Sequence, residues 1–256
     1  MPIVRIPIGR RVFAPSWTMT LLAAALCVAF VQLGRWQWDK GVQRQAEWDA
    51  FARGADATLV LGARAIATVP RFARVSVTGR FDGPHQFLLD NRTHAGRAGY
   101  EVLTPLHLED GRVLLVDRGW IPLTGARSRL PDVRLAADTP LTLVGRIDQL
   151  PSPGLALGRM PPPTGPSWPK VTSYPDMAQL AAALEERLES RILLLDPHMP
   201  FGYVREWQPP GLPPMRHFAY AVQWWGFALA LLIIWAVVSA PRRAITPQAD
   251  SRSSVP

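Results

Sequence analysis

His217 is the residue whose type and position most invite chemistry. It stands one residue before an uncharged run of 23 residues, Phe218–Ala240. The first turn of a helix carries partial positive charge, which favours a neutral imidazole, the form that ligates a metal. At about 100° per residue, His217, Ala221, Trp224 and Ala228 share one helical face, with Tyr220 on its edge. Small Ala221 and Ala228 leave room beside that face, and Trp224 offers a flat wall. Such a surface can receive a large planar apolar ligand through an axial nitrogen. The same residues also read as an ordinary membrane-interface belt, in which aromatics and a lone histidine sit at headgroup level.

A second group follows an earlier uncharged run of 17 residues, Trp17–Leu33. Gly34 permits close helix approach, and Arg35, Trp36, Gln37, Lys40 and Arg44 come after it. Trp36, Lys40 and Arg44 fall at i, i+4 and i+8, one helical stripe. Cations there can pair with carboxylates of a ligand whose ring lies in the membrane, or anchor the helix at lipid headgroups. Haem, an iron in an apolar ring bearing propionates, fits both groups.

Other chemistry is sparse. The histidines at 85, 94, 107 and 198 have no ligand spacing and read as surface residues. The single cysteine, Cys27, excludes a disulfide framework and a cysteine-clustered metal site. The chain has no P-loop, G-x-S-x-G or H-E-x-x-H signature, and no visible acid–base pair, so an enzyme is not expected. Asp117-Arg118-Gly119-Trp120 ends a strand. It reads either as a partner-docking element or as a strand-end bulge with an Asp–Arg pair.

The positioning elements follow from hydropathy patterning. Both uncharged runs are long enough to cross a bilayer as helices. The first lacks a small-x-small cleavage pattern at its end, so it reads as an uncleaved anchor. Residues 34–53 read as a helix continuing outward. Val75, Val77, Gly79 and Phe81 fall on one strand face, and Gln86–Asn91 is a short strand. Tyr100–Leu108 and Arg112–Ile121 flank Asp110-Gly111, a hairpin signal. Leu141–Asp148 is a further strand, 150–169 a proline-rich loop, and 176–190 a helix. Arg191–Leu195 and Tyr203–Trp207 read as closing strands, and Pro209, Pro210, Pro213 and Pro214 as a stiff lead into the second span. The expected fold is a membrane protein with two transmembrane helices flanking one mainly β (α+β) extramembrane domain. Its segments are a tail 1–16, a span 17–33, the β-rich domain 34–217, a span 218–240 and a tail 241–256.

The formal charge of +8 does not argue for nucleic acid. Arg5, Arg10 and Arg11, with Arg242, Arg243 and Arg252 against Asp250, put +5 of it in the two tails. Basic residues flanking spans stay cytoplasmic. Both tails are therefore expected in the cytoplasm and the middle domain across the membrane. A bacterial inner membrane with a periplasmic domain fits best.

Taken together, these residues resemble the surfeit locus protein 1 family, the assembly factors of cytochrome c oxidase. The likeness runs from about residue 33 to 240. It rests on Leu33-Gly34-x-Trp36-Gln37, Gly79-Arg80-Phe81-Asp82, Gly99-Tyr100-Glu101-Val102-Leu103-Thr104-Pro105, Arg118-Gly119-Trp120-Ile121-Pro122 and the stretch from His217 to Gly226. The resemblance implies haem A binding and its delivery to subunit I of haem–copper oxidase, with His217 as axial ligand and no enzymatic activity. Tyr220 and Trp224 would line the ring beside Trp36, and Lys40, Arg44 and Arg35 would meet the propionates. Subunit I of cytochrome c oxidase, haem A synthase and membrane lipid are the expected partners. The chain departs from the family at three places. Lys40 and Arg44 are exchanged relative to the usual order, Asp117 replaces an asparagine, and Met215-Arg216 replaces the asparagine that usually precedes the histidine. That last change removes a side chain able to support the imidazole. A haem-free membrane-tethered scaffold for oxidase assembly, with Arg118-Gly119-Trp120 as its docking surface, is the competing expectation.

Overall fold

A computed structural model describes residues 6–8, 11–123, 125, 129–135, 139–151 and 165–240. The tail 241–256, Arg5 and Arg10, and residues 152–164 of the proline-rich loop lie outside the described residues. The chain divides into two compact units, Met1–Ala46 with Gly211–Pro256, and Glu47–Pro210.

The first unit is built on two helices. Strands β1 (Ile6–Ile8) and β2 (Arg11–Phe13) form a short antiparallel pair ahead of them. That pair falls within the expected tail and carries too few alternating positions to be read from sequence. Helix α1 covers Trp17–Arg53 without a break, so the outward continuation expected over 34–53 is present. Helix α3 covers Pro214–Val238. Proline at its first position costs nothing, because that N–H has no helical partner anyway. Both helices are long and apolar enough to cross a membrane. Their large apolar side chains point outward: Leu22, Val28, Val222, Leu229, Ile234 and Val238 are all exposed. The buried residues are Ala23, Gly34 and Gly41 on α1 and Pro214, Ala221 and Ala228 on α3, and among them Gly34 and Gly41, and Ala221 and Ala228, stand seven residues apart. A seven-residue repeat of small residues is a close-approach seam between helices.

Aromatic contacts set the antiparallel register of that seam. Trp235 donates to Thr20 Oγ1 at 3.2 Å, Phe30 stacks on Trp224 at 5.7 Å, and Trp38 meets Phe218 at 4.8 Å.

The second unit is a closed sheet with covered faces. Its strands are β3 (Thr58–Val60), β4 (Arg74–Phe81), β5 (Phe87–His94), β6 (Arg97–Leu108), β7 (Val113–Pro122), β8 (Leu141–Asp148), β9 (Lys170–Thr172) and β10 (Leu188–Leu195). The order is β3-β4-β8-β10-β7-β6-β5-β9, and a further β4–β6 pairing closes β4, β8, β10, β7 and β6 into a barrel. Gly79 lies at the closing seam, paired with Leu108. A Cβ there would sit 2.5 Å from the His107 carbonyl oxygen, so the strands meet only around a glycine. Val75, Val77, Phe81, Leu114, Val116 and Leu193 fill one apolar cluster. Val113, Leu115, Ile192 and Leu194 face the opposite way, against Leu180 and Leu184 of helix α2 (Met177–Leu184). Strands β7 and β10 are buried on both faces, which is why VLLV and ILLL run apolar without alternation.

Two expectations are corrected, and one strand was not anticipated. The helix over 176–190 stops at Leu184. Asp176 caps its start by accepting from the Gln179 N–H at 3.1 Å, and Glu185 ends it in the left-handed region at φ 61°. Leu188, read as helical, instead opens β10. The strand expected over Tyr203–Trp207 reduces to one bridge, Val204 with Trp120, because the Arg205 guanidinium folds back onto the carbonyls of Asp196, Pro197 and Met199. Strand β9, inside no alternating pattern, forms by pairing parallel to β5.

Candidate functional site

His217 is the fourth residue of α3, on the face turned toward α1. Its Nδ1 lies 2.9 Å from Gln37 Oε1. Gln37 lies three residues after Gly34, and His217 three residues after Pro214, so both occupy seam positions of the repeat. Like the Trp235–Thr20 contact, it is a side-chain hydrogen bond between the helices, set in a mainly aromatic and small-residue interface.

The two flanks of the helix pair differ. Residues 37 and 38 point about 100° apart on α1, as do 217 and 218 on α3. Trp38 meets Phe218 and Trp225 on one flank. Gln37 meets His217 toward the other. Lys40 and Arg44, three and seven residues beyond Gln37, share its flank, and Tyr220 and Trp224 share that of His217 by the same spacing. Trp36 lies further round on the same side and is exposed. Helical geometry thus brings His217, Tyr220, Trp224, Trp36, Lys40 and Arg44 to one flank.

The surface they make is not the one anticipated. Ala221 and Ala228 were expected to leave room, but both are buried, 0% and 5% exposed. Trp224 stacks on Phe30 and meets Phe227 edge-on at 5.7 Å. The face between the helices is filled with side chains. What stays open on this flank is its outer rim: Tyr220 is 42% exposed. Lys40 Nζ reaches Gln43 Oε1 at 3.3 Å, and the Arg44 guanidinium packs over Gly211, whose Cβ would lie 3.0 Å from Nη2. Arg35 is exposed. Along α1, Lys40 and Arg44 stand about 4.5 and 10.5 Å outward of Gln37.

A metal-ligating imidazole needs its other ring nitrogen anchored. At His217 the residue that engages Nδ1 is Gln37, from the other helix. Gln37 was named from sequence after Gly34 and in the Leu33-Gly34-x-Trp36-Gln37 stretch, but without a role at the site. The signal that finds it is the seven-residue register, in which 34, 37, 41 and 214, 217, 221 align.

In the β unit, Arg118 and Trp120 of Arg118-Gly119-Trp120 are buried rather than displayed. Arg118 is 3% exposed and Trp120 8%. Arg118 donates to Gln86 Oε1 at 2.9 Å and to the Phe201 carbonyl at 2.7 Å, and its guanidinium lies 5.0 Å from the Tyr203 ring centroid. Burial pulls its pKa below the usual arginine value. The strand-end bulge is present as a register shift between Glu101 and Leu103, but the expected Asp–Arg pair is not. Asp117 Oδ1 accepts from the Gly119 N–H at 2.9 Å. Gly119 adopts φ 106°, and a Cβ on it would lie 2.5 Å from the Val204 carbonyl oxygen, so only glycine fits. Burial, reinforced by the neighbouring Glu101 charge, pushes the Asp117 carboxyl well above the usual carboxylate range. Burial also raises Glu101, against the opposing Arg92 charge.

Of the remaining histidines, His85 Nδ1 lies 2.8 Å from Asp82 and His107 Nε2 lies 2.8 Å from Glu186. The ligand atoms of Asp82, His107 and Glu186 lie within 4.8 Å of one another. Both imidazoles already hold a carboxylate there, so these are paired, part-exposed side chains.

Two helices long and apolar enough to cross a membrane, together with a barrel-like β unit, define a membrane-associated β-domain protein. Residues 24–229 match the model of the SURF1 family. The chain is also 27% identical to uncharacterized SURF1-like proteins of Mycobacterium bovis and of two Mycobacterium tuberculosis strains, across 94% of this chain and 92% of each relative. The chain belongs to the SURF1 family, which is generally linked to cytochrome oxidase assembly and is not a family of enzymes.

Proposed function

We propose that this protein is an assembly factor for haem–copper (cytochrome c) oxidase that carries haem A and hands it to subunit I. His217 holds the iron of this cargo through Nε2, Tyr220 and Trp224 border the ring with Trp36, and Lys40 and Arg44 meet the propionates, with Arg35 beside them. The carrying observation is the His217–Gln37 hydrogen bond, which engages Nδ1 and leaves Nε2 for a metal. One imidazole ligand on an open flank suits a cargo that must be released. The proposal includes a bacterial inner membrane, both termini in the cytoplasm and the β domain in the periplasm. Haem A synthase is the proposed donor, and no nucleic acid is involved.

The test is to purify the protein from cells that make haem A and record its absorption spectrum. Wild type should carry haem and His217→Ala should lose it. Haem retained unchanged by His217→Ala defeats the ligand assignment.

One observation favours a second reading, a haem-free membrane-tethered scaffold. Buried Ala221 and Ala228 make the helix seam tight, and His217–Gln37 can serve simply as an interhelical hydrogen bond. Under that reading His217→Ala leaves oxidase assembly intact.

A further inference from the structure

We infer that Gln37 is a positioning residue: its side-chain carbonyl selects the Nδ1–H tautomer of His217 and so presents Nε2 as the ring's one free lone pair. The purpose of this arrangement rests on the haem-carrier reading, whereas its content rests on the geometry of the two side chains.

A neutral imidazole carries one N–H and one lone pair, and an amide oxygen can only accept. With Gln37 Oε1 at 2.9 Å from Nδ1, the proton belongs on Nδ1. Free histidine prefers the opposite tautomer, so an unsupported ring would mostly present Nδ1, which its own backbone crowds. Gln37 reverses that preference.

The oxygen is held in place by the helix packing. Gln37 sits between Gly34, which receives the Trp225 ring, and Gly41, which receives the Phe218 ring. Next to it, Trp38 lies 4.8 Å from Phe218 and 5.8 Å from Trp225, centroid to centroid. The α1–α3 register that seats these aromatics also aims the amide at His217. An amide is a neutral acceptor and donates less electron density through the ring than a carboxylate would. A ligand of moderate strength follows, suited to cargo that leaves.

The test uses the full chain in detergent micelles with 15N-labelled histidine, the His217 signal being identified by its loss in His217→Ala. The expected long-range 1H–15N pattern has Nδ1 protonated and Nε2 bare. Gln37→Leu should shift it toward the Nε2–H pattern, while circular dichroism and tryptophan emission report that the helices remain packed. Gln37→Glu should restore the Nδ1–H pattern. With hemin as the probe, Gln37→Leu should weaken retention roughly tenfold to a hundredfold, the usual effect of removing a ligand's supporting partner. Gln37→Glu should slow release and lower the iron reduction potential. An Nε2–H pattern in wild type, or no change in a folded Gln37→Leu, overturns the inference. Wild type that shows the Nδ1–H pattern but takes up no hemin upholds the Gln37 assignment and defeats the haem-carrier reading.

Discussion

Gly34 of α1 is the seat of Trp225 of α3: a Cβ at residue 34 would lie 2.2 Å from the Trp225 indole nitrogen. Gly41 does the same for Phe218, with a Cβ 2.5 Å from the ring. The two glycines lie seven apart and on the seam that carries Gln37. Helix approach, aromatic packing and the aim of the Gln37 amide are therefore one arrangement. Overpacking such a contact costs about 1–3 kcal/mol. Gly34→Val should lower the thermal midpoint of the detergent-solubilised chain, and Gly34→Val with Gly41→Val should lower it further. An unchanged midpoint in the double variant would mean that the helices do not pack through these glycines.

Arg118 is the polar core of the β domain, and its loss should act on folding. Removing its side chain strands the Phe201 carbonyl and leaves Gln86 Oε1 with the Thr104 hydroxyl as its remaining donor, at about 1–3 kcal/mol for a buried group left unpaired. Arg118→Ala should unfold at markedly lower urea than wild type, and cellular protein level should fall with it. A variant that keeps wild-type unfolding and protein level but fails in oxidase assembly would restore the docking role that burial argues against.

Strong periodicity made much of this fold legible. The strands at Val75–Phe81 and Leu141–Asp148 carry apolar positions at period 2, Asp110-Gly111 marks its hairpin by turn type, and the uncharged run Trp17–Leu33 marks the helix that continues outward past Leu33. What was missed depends on long-range pairing. Strand β9 exists through β5, and Leu188 is drawn into β10 by β7, overriding a helical spacing that would include it. At the candidate site, His217 and its cations were readable from type and spacing. The contact of Gln37 with His217 and the burial of Ala221 were not, because both depend on which residue of α1 lies opposite which residue of α3.

Lys40 and Arg44 share a stripe on α1, and the carrier reading assigns them to carboxylates of the cargo. A hydrogen bond to a charged group is worth about 1.5–3 kcal/mol, and each 1.4 kcal/mol is roughly tenfold in affinity. Lys40→Ala should therefore weaken hemin retention about tenfold, and Lys40→Ala with Arg44→Ala should weaken it considerably more. Hemin esterified at its propionates should bind wild type as weakly as free hemin binds the double variant. Equal binding of hemin and its ester by wild type would remove these cations from the site.

Asp117 gives the β domain a pH dependence of defined sign. Its carboxyl is raised in the folded state by burial and then by Glu101. The folded chain therefore keeps this proton at pH values where the unfolded chain has released it. A folded state that binds more protons loses stability as pH rises. The loss begins near the ordinary carboxylate value of about 4 and is complete only above the raised folded value. Asp117→Asn keeps an oxygen that can accept from the Gly119 N–H and removes the charge. It should stabilise the domain near pH 8 by about 1–3 kcal/mol, the usual cost of an incompletely compensated buried polar group, and change little near pH 4. Urea unfolding across that range should show a flatter profile for Asp117→Asn, with any residual slope of the same sign reporting Glu101, which burial also raises. Parallel profiles for the two proteins would mean that Asp117 ionises in the folded domain as readily as in the unfolded chain.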